Sequence, residues 1–327
     1  MKKLLSLTLA LLLLLSLVAC KNEELPQGAP AEIRVWTLNG TTGFGMAQLM
    51  HQKESGAAQQ NYVFTVESTA TNVRDALING TADIAALPTN LASAVYNATN
   101  GGVKILAINT GGVLYLVTNT TNGASATALT DLSGKTVYCP AQNPAFITKA
   151  LLDKAQIANV TLDSTTYADP ADLRTAVATG LVDYAILPEP MVTIAKNAAT
   201  QNGTTLTVSL DLTAEWDRYF TAGSLVQGCI VARTAFIEQY PDAIAKFMTE
   251  YEASINFVKN NPEAASEMIK AAGIFGQAPI AKAAIPKCNL CFVTGAAMKT
   301  AMSTFLAQMP LPSIGGALPA DAFYYGV

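Results

Sequence analysis

The sequence predicts an α/β protein of two similar Rossmann-like lobes with a cleft between them. Three observations carry that fold class. First, residues 74–90 (R-D-A-L-I-N-G-T-A-D-I-A-A-L-P-T-N) return one hundred positions later at 174–190 (R-T-A-V-A-T-G-L-V-D-Y-A-I-L-P-E-P). Seven of the seventeen positions are identical: Arg74/Arg174, Ala76/Ala176, Gly80/Gly180, Asp83/Asp183, Ala85/Ala185, Leu87/Leu187 and Pro88/Pro188. Composition alone gives about one or two such matches. Second, residues 33–50 align without gaps to 135–152, placing Val35 on Val137, Trp36 on Tyr138, Phe44 on Phe146 and Leu49 on Leu151. Third, strand and helix patterns alternate between these echoes, which implies parallel sheets covered by helices on both faces. A long internal repeat of this kind is read as a repeated structural unit.

Each element follows from its local pattern. A β-prone run over 33–38 is broken by Asn39-Gly40-Thr41-Thr42-Gly43. Phe44, Ala47, Leu49 and Met50 then fall at helical spacing. A strand is predicted over 62–66. The helix marked by Val73, Ala76 and Leu77 stops at Gly80, since glycine suits a helix C-terminus. A short strand over 83–86 leads to a helix opened by Pro88, as proline fits a first turn. A fourth strand over 104–108 ends at Asn109-Thr110-Gly111. The apolar, β-branched run 113–118 has no helix before it and is read as a strand crossing into the second lobe. A polar loop over 120–130 follows. The pattern restarts with strands over 135–139, 160–166, 184–187 and 206–210 and helices over 144–154, 172–179 and 190–197. The run 224–232 is read as the return crossing.

From Thr234 the pattern is mainly helical. Ile244, Phe247, Met248, Tyr251 and Ile255 mark a helix over 241–258, with further helices over 262–272 and 296–308. The aromatic tail Phe323-Tyr324-Tyr325 is expected to dock, and this last third to pack mostly on the first lobe. The expected division is 31–115 with 226–327 for lobe 1 and 116–225 for lobe 2. Hinges are expected near 112–118 and 224–228, with closure around a ligand as the motion.

The N-terminus reads as an export signal over 1–19. Lys2 and Lys3 precede an apolar run that is short of the ~20 residues a spanning helix needs. Residues 20–30, with Pro26, Gly28 and Pro30, read as a tether. Half of the chain is hydrophobic, 13% is charged and the net charge is −4. A sizeable core is therefore possible. There is no basic stripe, which argues against nucleic acid as a partner.

Beyond Cys20 the cysteines are Cys139, Cys229, Cys288 and Cys291. Cys288-x-x-Cys291 lacks the second ligand pair of a zinc site and follows no thioredoxin-like βαβ pattern. Buried thiols or a disulfide, with Cys229–Cys288 as one pairing, are the expectation. No metal site or cofactor is expected.

Candidate ligand residues lie where strands end and helices begin, outside the carboxyl edges of the sheets. Asn39, Gly40, Thr41, Thr42 and Gly43 join a strand to a helix N-terminus, where free N–H groups can hold an anion or carbonyl. Absence of a following Gly-Lys-Ser/Thr separates this loop from a phosphate loop. Thr89 and Asn90 follow Leu87-Pro88, and Glu189 follows Leu187-Pro188 at the matching place in lobe 2. Thr89 is equally readable as a helix cap, and Glu189 as a solvated acid. Asn109 and Thr110 end a strand, and Gln142 and Asn143 match the Gly40–Thr41 position in lobe 2. Glu215 and Trp216 precede the return crossing, where the indole would either stack on a planar ligand or fill core. His51 is the only histidine, and no catalytic set rises above noise.

The motif order supports a family. It runs L-V-A-C at 17–20, N-G-T-T-G, A-L-I-N-G-T-A-D-I-A-A-L-P-T-N, G-V-L-Y-L-V, D-L-S-G-K-T-V, V-D-Y-A-I-L-P-E-P and F-I-E-Q-Y-P. It resembles the type II solute-binding proteins of ABC importers, in the branch for nitrate, sulfonates, taurine and thiamine precursors. The L-V-A-C ending resembles a bacterial lipobox and implies cleavage before Cys20 and lipidation of its thiol. The resemblance implies a lipid-anchored, outward-facing protein of the bacterial cell membrane that hands a small solute to a permease and its ATPase and performs no chemistry. Glu189 and Glu215 lean towards an amine or aminopyrimidine-like ligand, the 39–43 loop towards a sulfonate, and a zwitterion such as taurine satisfies both. Two alternatives stay open. One is an enzyme like the pyrimidine synthases of thiamine biosynthesis, which resemble this class and use a histidine and a Cys-rich iron motif. The other is a surface sensor or interaction lipoprotein of the same fold.

Overall fold

The computed structural model describes residues 28–327. The expected signal segment, most of the tether and Cys20 lie outside the described residues.

The first lobe opens with β1 (Ile33–Leu38), α1 (Thr41–Phe44), α2 (Ala47–Glu54), β2 (Tyr62–Glu67) and α3 (Ala70–Ile78). It continues through β3 (Ile84–Pro88), α4 (Thr89–Ala98) and β4 (Val103–Gly111). β5 (Leu114–Asn119) crosses over. The second lobe holds β6 (Thr136–Tyr138), α5 (Asn143–Lys154), β7 (Thr161–Asp163), α6 (Pro170–Ala178), β8 (Tyr184–Pro188), α7 (Met191–Gln201), β9 (Leu206–Asp211) and α8 (Leu212–Tyr219). β10 (Val226–Arg233) returns to the first sheet. α9 (Thr234–Gln239), α10 (Pro241–Asn260), α11 (Pro262–Ala271), α12 (Ala278–Ala284), β11 (Leu290–Val293) and α13 (Gly295–Leu306) complete the described chain, apart from short 3₁₀ turns at Thr120–Asn122, Leu129–Leu132, Ile285–Lys287, Leu311–Ile314 and Asp321–Phe323.

The two sheets share one strand order. Lobe 1 reads β2-β1-β3-β10-β4 with β11 added at the edge, and lobe 2 reads β7-β6-β8-β5-β9. The crossing strands occupy equivalent places: Cys229 of β10 faces Leu87, and Tyr115 of β5 faces Leu187. Both are antiparallel to their neighbours. This corrects the expectation of parallel sheets. A strand that leaves one sheet at its carboxyl edge enters the other from the facing carboxyl edge. It must then run against strands whose carboxyl ends point the same way.

The repeated residues have repeated jobs. Gly80 and Gly180 close α3 and α6 at φ of 78° and 80°, a left-handed turn that costs glycine little. Ala85, Ala185, Leu87 and Leu187 are fully buried. Asp83 departs from its twin. It accepts from the Arg34 backbone N–H at 3.0 Å, Arg34 Nη2 at 2.6 Å and Arg233 Nη2 at 2.9 Å. Asp183 instead accepts from Asn122 Nδ2 at 2.9 Å.

The single helix expected after β1 is broken into α1 and α2. Close packing explains the break. A Cβ at Gly43 would fall on the Leu38 carbonyl, and one at Gly45 would sit 2.7 Å from Ile255 Cγ1 on α10. The strand expected over 160–166 shrinks to β7 because Asp163 turns the chain, its carboxylate accepting from the backbone N–H groups and hydroxyls of Thr165 and Thr166. α8, α9, α12 and β11 are additions to the expected elements.

The last third packs on lobe 1 as expected. Ile244, Phe247, Tyr251, Ile255 and Val258 of α10 are fully buried in one cluster with Ile33, Val35 and Tyr62. The tail is docked: Phe323 is fully buried and Tyr324 bridges to Ile105. The Cys229–Cys288 pairing is not present, and all four described thiols are free. Cys229 Sγ rests on the Leu87 carbonyl at 3.5 Å and Cys288 Sγ on that of Ala284 at 3.2 Å. Burial pushes the Cys139 thiol up to about 12 and that of Cys291 to about 11.

Two expectations follow. Thiol-reactive dye should label these four cysteines slowly in native protein and fast in guanidinium, with reductant leaving the melting temperature unchanged. Fast native labelling, or a reductant-dependent melt, would contradict the free-thiol arrangement. Burial alone would raise the Asp83 carboxyl, but hydrogen bonds from Arg34 and Arg233 outweigh it and hold the group below the carboxylate range. A depressed folded value stabilises the fold above the ordinary carboxylate value of about 4 and is lost as pH falls through the folded value. Asp83→Asn should therefore cost about 3 kcal/mol at pH 7 in denaturant melts and flatten the acid limb of the stability curve.

Candidate ligand site between the lobes

The turns that leave the strand ends of the two sheets meet at one place. Asn143 Nδ2, at the start of α5 in lobe 2, donates to Asn90 Oδ1, in the first turn of α4 in lobe 1, at 2.7 Å. Asn90 in turn donates to the Ser313 carbonyl at 3.3 Å. The other oxygen of this pair, Asn143 Oδ1, is buried without a partner among the described residues. Pro144 just inside α5 pre-sets the helical turn that aims Asn143, and Gln142 before it holds a φ of 64° that non-glycine residues rarely adopt.

The loop after β1 keeps only part of its expected role. The Asn39 N–H donates to the Glu67 carbonyl at 2.9 Å, that of Gly40 to Ile274 at 3.1 Å and that of Gly43 to Gly40 at 3.0 Å. α1 is one turn long, so there is little dipole to draw an anion. The half-buried Thr41 and Thr42 are left, with backbone N–H groups that meet no acceptor among the described residues.

Other expected ligand residues are committed to the fold. Thr89 is buried and its hydroxyl donates to the Val226 carbonyl at 2.8 Å, tying α4 to β10. Asn109 is buried, donating to the Thr42 carbonyl at 3.0 Å and to Tyr251 Oη at 2.9 Å while accepting from Thr110 Oγ1 at 3.0 Å. Gly228 is required beside them, since a Cβ there would stand 2.5 Å from Asn109 Oδ1. Trp216 is fully buried, stacks on Phe220 at 4.1 Å and donates to Ser224 Oγ at 2.8 Å. Its indole is core, not a ligand platform. Glu215 is buried against Arg218 Nη1 at 2.9 Å. Gln142 is exposed, and its carbonyl starts α5 by accepting from the Phe146 N–H at 2.9 Å.

Glu189 is a buried charge just past the end of β8. Its carboxylate accepts from the Thr193 N–H and hydroxyl, both at 3.1 Å, which caps α7. Lys287 Nζ stands 3.7 Å away on the far side of the lobe boundary. Burial raises the Glu189 carboxyl, and the Thr193 bonds and Lys287 oppose that shift without cancelling it. Tyr115 Oη donates to the Lys287 carbonyl at 2.8 Å. Lys287 and Tyr115 escaped the sequence reading. Lys287 sits beside Cys288, in a stretch whose sequence signal is its thiols.

Cavities of about 400 Å³ around Lys135 and Asp183 and about 410 Å³ around His51 lie away from this place. Neither is lined by any of the unpaired buried polar atoms, whereas the interlobe turns supply Asn143 Oδ1. A third cavity, about 320 Å³, borders Gly111, Gly112, Gly223 and Asn289 where the chain crosses between lobes, and Thr213 on its wall carries a buried hydroxyl that is also unpaired among the described residues. The interlobe arrangement offers amides, hydroxyls and a compensated carboxylate. It can hydrogen-bond a small polar molecule.

Residues 103–265 match the family model described as NMT1/THI5 like, just under half of the chain. No curated protein sequence matches. Among solved structures, an ABC transporter protein from Parabacteroides distasonis is 22% identical, with 90% of this chain and 99% of that one covered and a TM-score of 0.75. The periplasmic aliphatic sulphonate binding protein SsuA from Escherichia coli is 14% identical over 86% of this chain and 92% of its own, TM-score 0.66. The ligand binding component of an ABC-type import system from Staphylococcus aureus, solved with zinc bound, is 12% identical over 90% and 98%, TM-score 0.64. Residues 103–265 thus form an NMT1/THI5-like segment, and the chain as a whole has the two-lobed fold of the type II solute-binding proteins.

Proposed function

We propose that this protein is the substrate-binding component of an ABC importer, a lipoprotein anchored through Cys20 and facing outward. It captures a small polar solute between its lobes and presents it to a permease coupled to an ATPase. In this reading it performs no chemistry. Support comes from the shared fold, from the sequence ending at Cys20 and from the unpaired Asn143 oxygen between the lobes. Asn143 carries most weight. A buried acceptor without a donor costs about 1–3 kcal/mol, which a solute N–H or O–H would recover.

The solute class follows from what is left free. Glu189 is capped by Thr193 and faced by Lys287, so its pull on an ammonium is reduced. The unpaired N–H groups of Thr41 and Thr42 suit an oxyanion. A small sulfonate with an N–H or O–H donor, taurine among them, carries a group for each. The sulphonate-binding structural neighbour is consistent with that choice.

Thermal shift and calorimetry against taurine, alkanesulfonates, sulfate, nitrate and an aminopyrimidine test the reading. A sulfonate at 100 times its Kd should add about 2.7 kcal/mol of stability. Asn143→Ala should weaken that binding about 10-fold or more, a loss of about 1.4 kcal/mol. Failure of every solute to bind, or aminopyrimidine binding indifferent to Asn143→Ala, would contradict it.

A further inference from the structure

We infer that Lys287 is a latch between the lobes, a positioning residue that holds them together without touching the solute. The inference rests on the two-lobed binding reading above. Lys287 belongs to the turn after α12, in the part of the chain that packs on lobe 1, whereas Tyr115 belongs to the lobe 2 sheet and Glu189 directly follows its strand β8. One residue therefore makes two contacts across the boundary: its ammonium lies 3.7 Å from Glu189 Oε1, and its carbonyl accepts from Tyr115 Oη at 2.8 Å.

The chemistry favours a latch over a surface ion pair. The Glu189 side chain is fully buried while Lys287 is half exposed. A buried carboxylate whose only other side-chain partner among the described residues is Thr193 is a strong local anchor for a cation that can reach it. Lys287 reaches it on a flexible stem from the opposite lobe, so separating the lobes must break the pair. Thr193, in the first turn of α7, holds the carboxylate in place when the lysine leaves. The glycine pair Gly111-Gly112 and Gly223 flank the two crossings, beside the cavity of about 320 Å³ that gives the crossings room to bend. Asn289 adds a neighbouring tie, donating to the Gly112 carbonyl at 2.5 Å.

The test reads lobe separation directly and needs no solute. Fluorescent labels at Ile78→Cys and Leu181→Cys, both exposed and on different lobes, report the distance by energy transfer. Lys287→Met should shift the solute-free distribution to longer distances, and Lys287→Arg should restore most of it. Glu189→Gln should act like Lys287→Met. For a solute that binds, Lys287→Met should raise the dissociation rate about 3- to 10-fold, in keeping with a pair that is half exposed. An unchanged distance distribution in Lys287→Met with native circular dichroism would overturn the latch, as would failure of Lys287→Arg to rescue. Longer distances in Lys287→Met without binding of any solute would uphold the latch and count against the binding reading alone.

Discussion

The structure depends on an exchange of strands. After β4 the chain leaves the first sheet and enters the second as its antiparallel strand β5, and after lobe 2 it returns to take the same place in the first as β10. Each sheet is completed by a strand that arrives from the other. Neither lobe is finished without both crossings, and both crossings sit at the carboxyl edges of the sheets. That one constraint brings the two crossings, the facing turns and the proposed site together.

Packing around the crossings makes the junction stiff in some places and open in others. Trp216, Phe220 and Phe305 fill the space where α8 meets α13, and Gly228 lets Asn109 and Thr110 lie against β10. The cavity beside Gly112 and Gly223 is the looser part. Buried polar groups divide in the same way. Thr89 and Asn109 are fully paired and hold lobe 1 rigid. Asn143 Oδ1 is unpaired, and unpaired buried acceptors need a reason.

Much of the fold was legible in the chain because the repeat is written in residues with local jobs. Gly80 and Gly180 end helices, Leu87 and Leu187 fill cores, and Pro88 and Pro188 close strands. These needs are met within a few positions, so sequence shows them. The antiparallel crossings were visible as strands but not in direction, since direction depends on which edge a distant sheet presents. α1 and α2 read as one helix in sequence because Gly45 answers to Ile255, some two hundred residues away. The site was legible as a set of turns, and Asn90 and Asn143 do meet. Which members stay free was not. Trp216 and Thr89 look identical in sequence whether they face a ligand or a neighbouring strand, and Lys287 becomes relevant only when α12 is laid across lobe 2.

The central claim is that a solute is held by turns from both lobes at once. Amide hydrogen exchange with and without a saturating sulfonate tests it most directly. New protection is expected in peptides around Thr41, Asn90 and Asn143 together, with the outer groove at His51 and Phe64 unchanged. Protection confined to one lobe, or appearing at that outer groove instead, would contradict it.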